Sequence, residues 1–356
     1  MSRSLAGTPA AARSGGLIDS RAMPQQAPPL RKVVTPRAIR EAAAVIAPHI
    51  HRTPLLRCAT LDRITGFEVH LKAENLQKTG SFKPRGALNR IAHLTPDEAR
   101  RGVLAASAGN HAQGLAYAAA ARRIPVRIVM PATASKAKID ATRAMGAEVI
   151  LHGELFDDAL ARSLEILKET GMTFVHPAID PHVVAGAGTI GLEICEDLPG
   201  IDALVCPVGG GGMLTGIATI VKELAPGARI FGVNPDGAPA MARSFREGAV
   251  VRLESAASIA DGMTGRAGTA ETLEAMRGLV ESIVTVSDAS ILEAILLLLG
   301  RAKLLVEGAG AGPLAALLER KIPLPEGSRV ALILSGGNID LDRLSGFILD
   351  GLPGGH

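Results

Sequence analysis

The sequence is poor in aromatic residues and in cysteine. Its 356 residues include no tryptophan, one tyrosine and seven phenylalanines, which argues against a surface on which single-stranded nucleic acid could stack its bases. The three cysteines, Cys58, Cys195 and Cys206, form no CxxC pair. This pattern excludes a disulfide scaffold and a thiolate metal cage, and it suits a reducing compartment. We therefore expect a cytoplasmic protein.

The chain also lacks an excess of charge of one sign and a long apolar run. Its 38 Lys and Arg residues face 35 Asp and Glu residues, for a net charge of +3, so bulk attraction to nucleic acid or to membranes is not expected. The longest aliphatic stretch, 291–299, contains Glu293 and is too short to cross a bilayer. We predict neither a nucleic-acid partner nor a membrane partner.

What the chain does contain is an alternation of strand and helix patterns over a length that suits two domains. The run VLAA (103–106), for example, precedes a helical segment at 111–122. This alternation is typical of βαβ units in parallel sheets. Residues 1–35 differ, because they are rich in Ala, Ser, Gly, Pro and Arg without sustained periodicity. We predict that they form a disordered N-terminal tail.

The first candidate site is the glycine run Gly209–Gly212, between a strand pattern and a helix pattern. At a helix start, backbone N–H groups and the helix dipole favour an anion, and glycines allow its close approach. A GxGxxG dinucleotide fingerprint fails in either register, because its last glycine falls on Leu214 or Thr215. The pattern predicts a site for one phosphate group, with a structural turn as the alternative.

The second candidate is Lys83, which stands between Phe82 and Pro84 in KTGSFKPRGA (78–87). The simple interpretation is a solvated lysine at the start of a helix, with Pro84 as the first helical residue. The functional interpretation is an imine-forming lysine, which needs a partly desolvated site to be available as a free amine. The segment alone does not decide between them.

Two further segments end strands and carry small residues. SAGNHAQG (107–114) leaves backbone donors near Asn110 that suit a carboxylate, or it forms a helix cap. SGGN (335–338) places a hydroxyl group at the same rim of the sheet, or it forms a tight turn. The histidines show no metal-ligand spacing and the carboxylates do not cluster, so we predict no metal site.

The order of seven blocks along the chain is more specific than any one of them. The blocks are KTGSFKPRGA (78–87), SAGNHAQG (107–114), AGAGTIGLEI (185–194), VGGGGMLTG (208–216), ADGM (260–263), VEGAGA (306–311) and LSGGNIDL (334–341). In this order they resemble the threonine dehydratase/serine racemase family of pyridoxal-phosphate enzymes, and most of all its catabolic threonine dehydratases. The resemblance extends from about Thr53 to Leu341.

The resemblance implies a role for each motif. Lys83 would hold pyridoxal phosphate as a Schiff base and act as the base toward the substrate Cα proton, while Phe82 would pack against the cofactor ring. Asn110 would contact the ring hydroxyl, and Ser335 the pyridine nitrogen, where a serine leaves the ring a moderate electron sink. Glu307 is a weaker candidate near the ring, with a structural role as the alternative. The cofactor phosphate would be held by the backbone of Gly209, Gly210, Gly211, Gly212 and Met213. The substrate carboxylate would be received by Ser107, Ala108, Gly109, Asn110 and His111.

The implied fold is α/β, with two open-sheet αβα domains as in the tryptophan synthase β subunit. The small domain, 96–177, would be inserted into a large cofactor-binding domain made of 36–95 and 178–350, and its closure would exclude water from the site between them. A homodimer or homotetramer is expected. Because the chain ends soon after Asn338, no C-terminal regulatory domain is expected.

The implied activity is β-elimination of a 3-hydroxy amino acid, from L-threonine to 2-oxobutanoate and ammonia and from L-serine to pyruvate. Alternatives are a serine racemase, or a dehydratase of another substrate such as 3-hydroxyaspartate; Lys83 disfavours a phosphate-binding module without catalysis. Ala108 stands where serine racemases commonly carry a second serine, and its methyl group cannot carry a proton, so elimination should exceed racemisation. Asn234 and Ala240 stand where metal-dependent racemases place acidic ligands, so no divalent metal is expected.

Overall fold

The computed structural model describes residues 29–349, so most of the predicted tail lies outside the described residues. Residues 29–35 differ from the prediction. They include the helix α1 (Leu30–Val33), and both Leu30 and Val34 are buried in an apolar core. These two side chains are four residues apart and lie on one face of the helical turn. The composition of the segment concealed this apolar pair.

Two β-sheets organise the described chain. The six-stranded sheet has the order β1-β2-β10-β7-β8-β9, and the four-stranded sheet has the order β5-β4-β3-β6. All neighbouring strands are parallel except β1, which pairs antiparallel with β2. The strands are β1 (Leu55–Arg57), β2 (Glu68–Lys72), β3 (Val103–Ala106), β4 (Val126–Met130), β5 (Glu148–Leu151), β6 (Thr173–Phe174), β7 (Ala203–Pro207), β8 (Arg229–Pro235), β9 (Ser282–Val286) and β10 (Arg329–Ile333).

Helices flank these strands. They are α1, α2 (Pro36–Ile46), α3 (Ala59–Thr65), α4 (Lys83–Ala92), α5 (Pro96–Arg101), α6 (Asn110–Ala120), α7 (Lys136–Ala144), α8 (Phe156–Thr170), α9 (Pro181–Asp197), α10 (Gly212–Leu224), α11 (Ala240–Glu247), α12 (Ala270–Met276), α13 (Asp288–Leu297), α14 (Gly308–Leu318) and α15 (Leu341–Leu349). Within residues 29–349, no helix is both long enough and apolar enough to span a membrane.

Each sheet is buried on both faces. In β10, Val330 and Leu332 belong to one apolar cluster, while Ala331 and Ile333 belong to another on the opposite face. The four-stranded sheet repeats the pattern, because its strand residues alternate between two further clusters. Continuous apolar strands of this kind are typical of parallel sheets covered by helices. The predicted α/β class with two open αβα sheets is confirmed, whereas the predicted domain limits stay a prediction.

Glycines let the helices α4, α9 and α10 pack backbone to backbone. A Cβ at Gly86 in α4 would lie 2.6 Å from the Val183 carbonyl oxygen in α9. A Cβ at Gly216 in α10 would lie 2.3 Å from the Val184 carbonyl oxygen. These distances leave no room for a side chain. Helix α9 therefore fixes the starts of α4 and α10 relative to each other.

Candidate active site

The predicted site segments follow the carboxyl ends of parallel strands. The loop at Ser107 follows β3, the glycine run follows β7 and Ser335 follows β10. Their contacts bring them together with the start of α4. The Phe82 N–H donates to the Ser335 carbonyl at 3.0 Å, and one cavity is lined by both Lys83 and Gly212. The Asn338 Nδ2 donates to the Asn110 Oδ1 at 2.8 Å, which brings in the segment that follows Ser107. Four segments that are far apart in sequence thus converge at one rim.

Lys83 begins α4, directly before Pro84, which the first turn of a helix tolerates. Among residues 29–349, its amine forms no hydrogen bond or ion pair, and its Nζ lies 4.7 Å from the centre of the Phe82 ring. Burial lowers the pKa of Lys83 to about 8, against an upward effect of Glu307. The solvated-lysine interpretation therefore fails. The amine is desolvated and closer to neutral form at physiological pH than an exposed lysine.

The glycine run has a shape that only glycine permits. Gly211 has φ +87°, and a Cβ at Gly212 would lie 2.6 Å from the Ala178 carbonyl oxygen. The Thr272 hydroxyl in α12 donates to the Gly210 carbonyl at 2.9 Å, which joins the loop to that helix. The loop enters α10, whose first N–H groups have no intrahelical partner. The arrangement suits an anion.

The Asn234 side chain also stabilises the glycine loop. The Asn234 Nδ2 donates to the Val208 carbonyl, directly before the glycines, at 2.5 Å, and its Oδ1 accepts from the Ala242 N–H at 2.8 Å. Asn234 is buried, and its amide thereby joins β8, the glycine loop and α11. Both polar ends of the side chain are satisfied by backbone groups.

The Ser107 loop presents mostly backbone to the site. The Ser107 hydroxyl accepts from the Gly109 N–H at 3.3 Å, while Ala108 packs against the apolar cluster beside β3. His111 faces away, because its Nε2 pairs with the Val175 carbonyl at 2.9 Å. Burial lowers the pKa of His111 to about 3. This histidine is therefore neutral and contributes no charge for a carboxylate.

Ser335 is buried, with 3% of its surface exposed. Its hydroxyl makes no hydrogen bond to any described residue, although its carbonyl accepts from Phe82. The next residue, Gly336, pairs with Ser81 in an isolated antiparallel bridge, which joins the end of β10 to the segment before α4. A hydroxyl group without a protein partner thus lies next to the lysine segment.

The sequence did not assign a definite role to three side chains of the site, those of Glu307, Asn338 and His176. Glu307 precedes α14, and its Oε1 accepts from the Asn110 Nδ2 at 2.7 Å. Asn338 donates to the Asn110 Oδ1 at 2.8 Å. His176 accepts from the Ala178 and Ile179 N–H groups. Only the VEGAGA and SGGN blocks gave a signal for the first two. No spacing pointed to His176, whose pKa burial lowers to about 4.

A buried ion cluster also escaped the sequence. Arg85 is fully buried and donates to both carboxylate oxygens of Glu74, at 2.8 Å each. It donates to both oxygens of Glu193, at 2.7 and 2.9 Å, and Lys72 in β2 donates to Glu193 at 2.6 Å. The two cations and two carboxylates are balanced. They join α4 to α9 and to the strand beside β10.

Comparisons with known proteins identify the family of the chain. The model of a family described as "Pyridoxal-phosphate dependent enzyme" matches residues 46–336. The chain is 47% identical over 320 residues to an L-threonine ammonia-lyase of Thermotoga maritima, covering 90% of this chain and 79% of the relative.

Solved structures agree as well. A maize serine racemase superposes with a TM-score of 0.85 at 35% identity, over 89% of this chain and 97% of that one. A threonine deaminase of T.th. superposes with a TM-score of 0.81 at 42% identity, over 86% and 99% of the two chains. The resemblance found in the seven sequence blocks is confirmed: the chain belongs to the family of pyridoxal-phosphate dependent enzymes.

Proposed function

We propose that this chain is an ammonia-lyase that converts L-threonine to 2-oxobutanoate and ammonia, and L-serine to pyruvate and ammonia. The observation that carries the proposal is the Lys83 amine, which has no protein partner among the described residues and lies where the glycine loop and Ser335 converge. Relatives that carry the names L-threonine ammonia-lyase and threonine deaminase support the choice of reaction.

The residues present fit pyridoxal phosphate. Burial lowers the pKa of the Lys83 amine to about 8, so more of it is neutral near physiological pH. The neutral amine is the form that attaches covalently to an aldehyde. The cradle at Gly209–Gly212 cannot hold side chains, because a Cβ at Gly210 would lie 2.7 Å from the Ala178 Cβ. The partnerless Ser335 hydroxyl is available for a ring nitrogen. Lys83 would hold the aldehyde carbon, and the glycine loop the phosphate.

The bound cofactor supplies an electron sink that stabilises negative charge at the substrate Cα. Once the substrate amino group has replaced it on the cofactor, the Lys83 Nζ is a free amine and takes up the Cα proton, since its lowered pKa leaves it available as a base near neutral pH. The backbone N–H groups at the start of α6, beginning at Asn110, orient the substrate carboxylate. The 3-hydroxyl group takes up a proton, which balances the proton lost from Cα, and leaves as water. The released unsaturated amine rearranges to an imine, which water hydrolyses to the 2-oxo acid and ammonia.

The reaction and the attachment site can be tested together. Purified protein is loaded with pyridoxal phosphate and given L-threonine, L-serine and 3-hydroxyaspartate, and the 2-oxo acid and the D-enantiomer are measured separately. We expect 2-oxobutanoate from threonine, and borohydride should fix the cofactor on Lys83 in a peptide map. Absence of a 2-oxo acid from every substrate would contradict the proposal.

Lys83→Ala should abolish turnover, by at least about a thousandfold, because the variant lacks both the attachment point and the base. Its fold should be preserved, which circular dichroism can check. Lys136→Ala is the matched control, because Lys136 is an exposed lysine on α7 whose partner is Asp140. A Lys83→Ala variant that retains most of the wild-type rate would exclude this mechanism.

Ala108 distinguishes elimination from racemisation. Racemisation needs proton carriers on both faces of the substrate, and Lys83 supplies one face. The sequence resemblance places Ala108 at the other face, and its methyl group has no proton to exchange. On L-serine, the wild type should yield pyruvate with little D-serine, and Ala108→Ser should raise the D-serine share several-fold. Equal rates of the two products in the wild type would point instead to a racemase.

A cytoplasmic homo-oligomer, dimer or tetramer, is also part of the proposal. Its support is the sequence resemblance together with the free thiols of Cys58, Cys195 and Cys206. Light scattering of the cofactor-loaded protein at several concentrations tests the assembly. A monomer at all concentrations would contradict it.

A further inference from the structure

A chain of hydrogen bonds surrounds Asn110, the first residue of α6. Its Nδ2 donates to the Oε1 of Glu307 at 2.7 Å, and its Oδ1 accepts from the Nδ2 of Asn338 at 2.8 Å. The same Asn338 Nδ2 donates to the carbonyl oxygen of Thr79, also at 2.8 Å. These bonds join the start of α6 to the segments before α14, after β10 and before α4.

The donor direction along this chain is determined at its Thr79 end. A backbone carbonyl can only accept, so the NH2 group of Asn338, and not its oxygen, must face Thr79. The same NH2 group also reaches Asn110, which must therefore present its oxygen to Asn338. The NH2 group of Asn110 is left to face Glu307, whose carboxylate is an acceptor. The orientation of both amides is thus assigned by the network.

Two glycines close the space around these side chains. A Cβ at Gly336 would lie 2.7 Å from the Glu307 Oε1 and 3.2 Å from the Asn110 Nδ2. A Cβ at Gly80, which has φ +71°, would lie 2.5 Å from the Asn338 Oδ1. The backbone is therefore packed directly on the amide and carboxyl groups, and little room is left for them to turn over.

The Thr79 backbone has φ +60°, a left-handed conformation that a β-branched residue rarely adopts. Its hydroxyl is buried without a hydrogen-bond partner among the described residues. Such strain persists only where neighbouring contacts hold it, and the bond from Asn338 is one of these contacts. The strained segment lies four residues before Lys83.

We propose that Glu307, Asn338 and the Thr79 carbonyl are positioning residues that fix Asn110 as a hydrogen-bond donor in the cofactor site. Asn110 carries two amide hydrogens, and only one is used by the described protein. The inference rests on the proposed contact between Asn110 and the ring hydroxyl of the cofactor. A donor at that oxygen favours its deprotonated form.

Asn338→Leu tests the chain, because leucine has a similar shape and can neither donate nor accept. The variant leaves Glu307 as the one remaining side-chain partner of Asn110 among the described residues, so the Asn110 amide should be held less firmly and the cofactor should bind about tenfold more weakly. The pH midpoint of the visible absorption of the lysine-bound cofactor should move upward by about one unit. Equilibrium dialysis and spectroscopic titration give these two quantities.

Asn89→Leu is the matched control. Asn89 is also buried, and its Nδ2 donates to the His182 carbonyl at 2.8 Å, as Asn338 donates to Thr79. This variant should lose thermal stability but keep the wild-type cofactor affinity and absorption midpoint. If cofactor affinity and the absorption midpoint change as much in Asn89→Leu as in Asn338→Leu, the inference is overturned, because both variants would then reflect a general loss of packing.

A second pair of variants covers the case in which Asn338→Leu does not fold. Glu307→Gln and Glu307→Met both lack the carboxylate charge, and only the glutamine keeps an acceptor for Asn110. The methionine variant should bind the cofactor about tenfold more weakly than the glutamine variant and titrate at a higher pH. Equal affinity and equal midpoints in these two folded variants would overturn the inference.

The same measurements separate this inference from the proposed function. Wild-type protein that attaches no cofactor at Lys83 would overturn the proposed function and the inference with it. Wild-type protein that attaches the cofactor and forms 2-oxo acid, with unchanged Asn338→Leu and Glu307→Met variants, would overturn the inference alone.

Discussion

At the scale of single residues, the site depends on two groups whose surroundings move their titration toward neutral pH. Burial lowers the pKa of Lys83 to about 8 and raises the pKa of Glu307 to about 7. The direction is opposite because burial disfavours the charged form, which is the protonated amine in one case and the carboxylate in the other. Each group can therefore change its protonation state within the physiological range.

Glu307 should impose a pH dependence on turnover. Asp261 adds to the rise of its pKa, whereas Asn110, Lys138 and Lys83 act against it. Above pH 7 the carboxylate is charged and accepts strongly from Asn110, and below pH 7 it is protonated and accepts more weakly. We expect kcat/KM to fall about fivefold through this group between pH 8 and pH 6, a loss near 1 kcal/mol.

Glu307→Gln should remove this step, because glutamine is neutral at every pH. Its kcat/KM at pH 8 should resemble that of the wild type at pH 6. Glu319→Gln is the control, since the Glu319 carboxylate also accepts hydrogen bonds, from Ser287, but lies outside the site. If kcat/KM of Glu307→Gln still falls between pH 8 and pH 6 as in the wild type, the pH dependence belongs to another group.

At the scale of elements, the buried Arg85 cluster connects the helix that carries Lys83 to its neighbours. Arg85→Met would leave Glu74 and Glu193 buried with Lys72 as their one remaining cation in the cluster. Removing one partner of a buried ion pair costs about 3–5 kcal/mol, because the other charge stays desolvated. Urea unfolding should show a loss of this size.

A double variant separates charge balance from packing. Arg85→Met with Glu74→Gln keeps the pair of Lys72 and Glu193 and restores neutrality, so it should be more stable than Arg85→Met alone. Arg37→Met is the surface control, because Arg37 is 88% exposed in its pair with Glu41, and its loss should be below about 0.5 kcal/mol. A double variant less stable than the single one would rule out uncompensated charge as the cause.

The elements themselves could be predicted from the sequence more readily than their polar connections. The strand at 103–106 has the predicted limits, and the helical segment predicted at 111–122 runs from Asn110 to Ala120. Apolar periodicity and glycine punctuation are local signals, so a single sequence carries them. The antiparallel pairing of β1 was not expected, because three residues carry too little pattern to give a direction.

In the site too, the segments could be predicted from the sequence more readily than the polar bonds between them. The glycine loop and the SAGN and SGGN segments follow strands, so the sequence predicted their common rim from the topology of parallel sheets. The bonds of Asn110 to Glu307 and Asn338 span 197 and 228 residues. No periodicity encodes such pairs. Arg85 was concealed for a further reason, because a charged residue within a helix is normally assigned to the surface.

At the scale of the whole molecule, ion pairs join the helices of the four-stranded sheet to loops associated with the six-stranded sheet. Asp157 on α8 pairs with Arg266 and, at 3.5 Å, with Arg252. Lys138 on α7 pairs with Asp261 at 3.3 Å. Most of these side chains are partly exposed, so each pair adds little to overall stability. Because they join elements of the two sheets, we predict that they hold the two sheets together on either side of the proposed active site.

Arg266→Gln should therefore change substrate binding more than stability. Loss of the pair with Asp157 should raise the KM for threonine about two- to fivefold, which corresponds to the energy of one partly exposed pair. The free energy of unfolding should change by less than about 1 kcal/mol, and kcat should change little. Steady-state kinetics and urea unfolding measure both quantities.

Salt gives the decisive comparison for the bridging pairs. Between about 0.1 M and about 1 M salt, the screening length falls from about 10 Å to about 3 Å, so the wild-type KM should rise as these pairs weaken. Arg266→Gln should show a smaller rise, because one of the screened pairs is already absent. Arg162→Gln should keep the wild-type salt response, since Arg162 pairs with Glu165 and Glu169 within α8 itself. The same salt response in all three proteins would mean that the pair of Asp157 and Arg266 does not hold the two sheets together around the substrate.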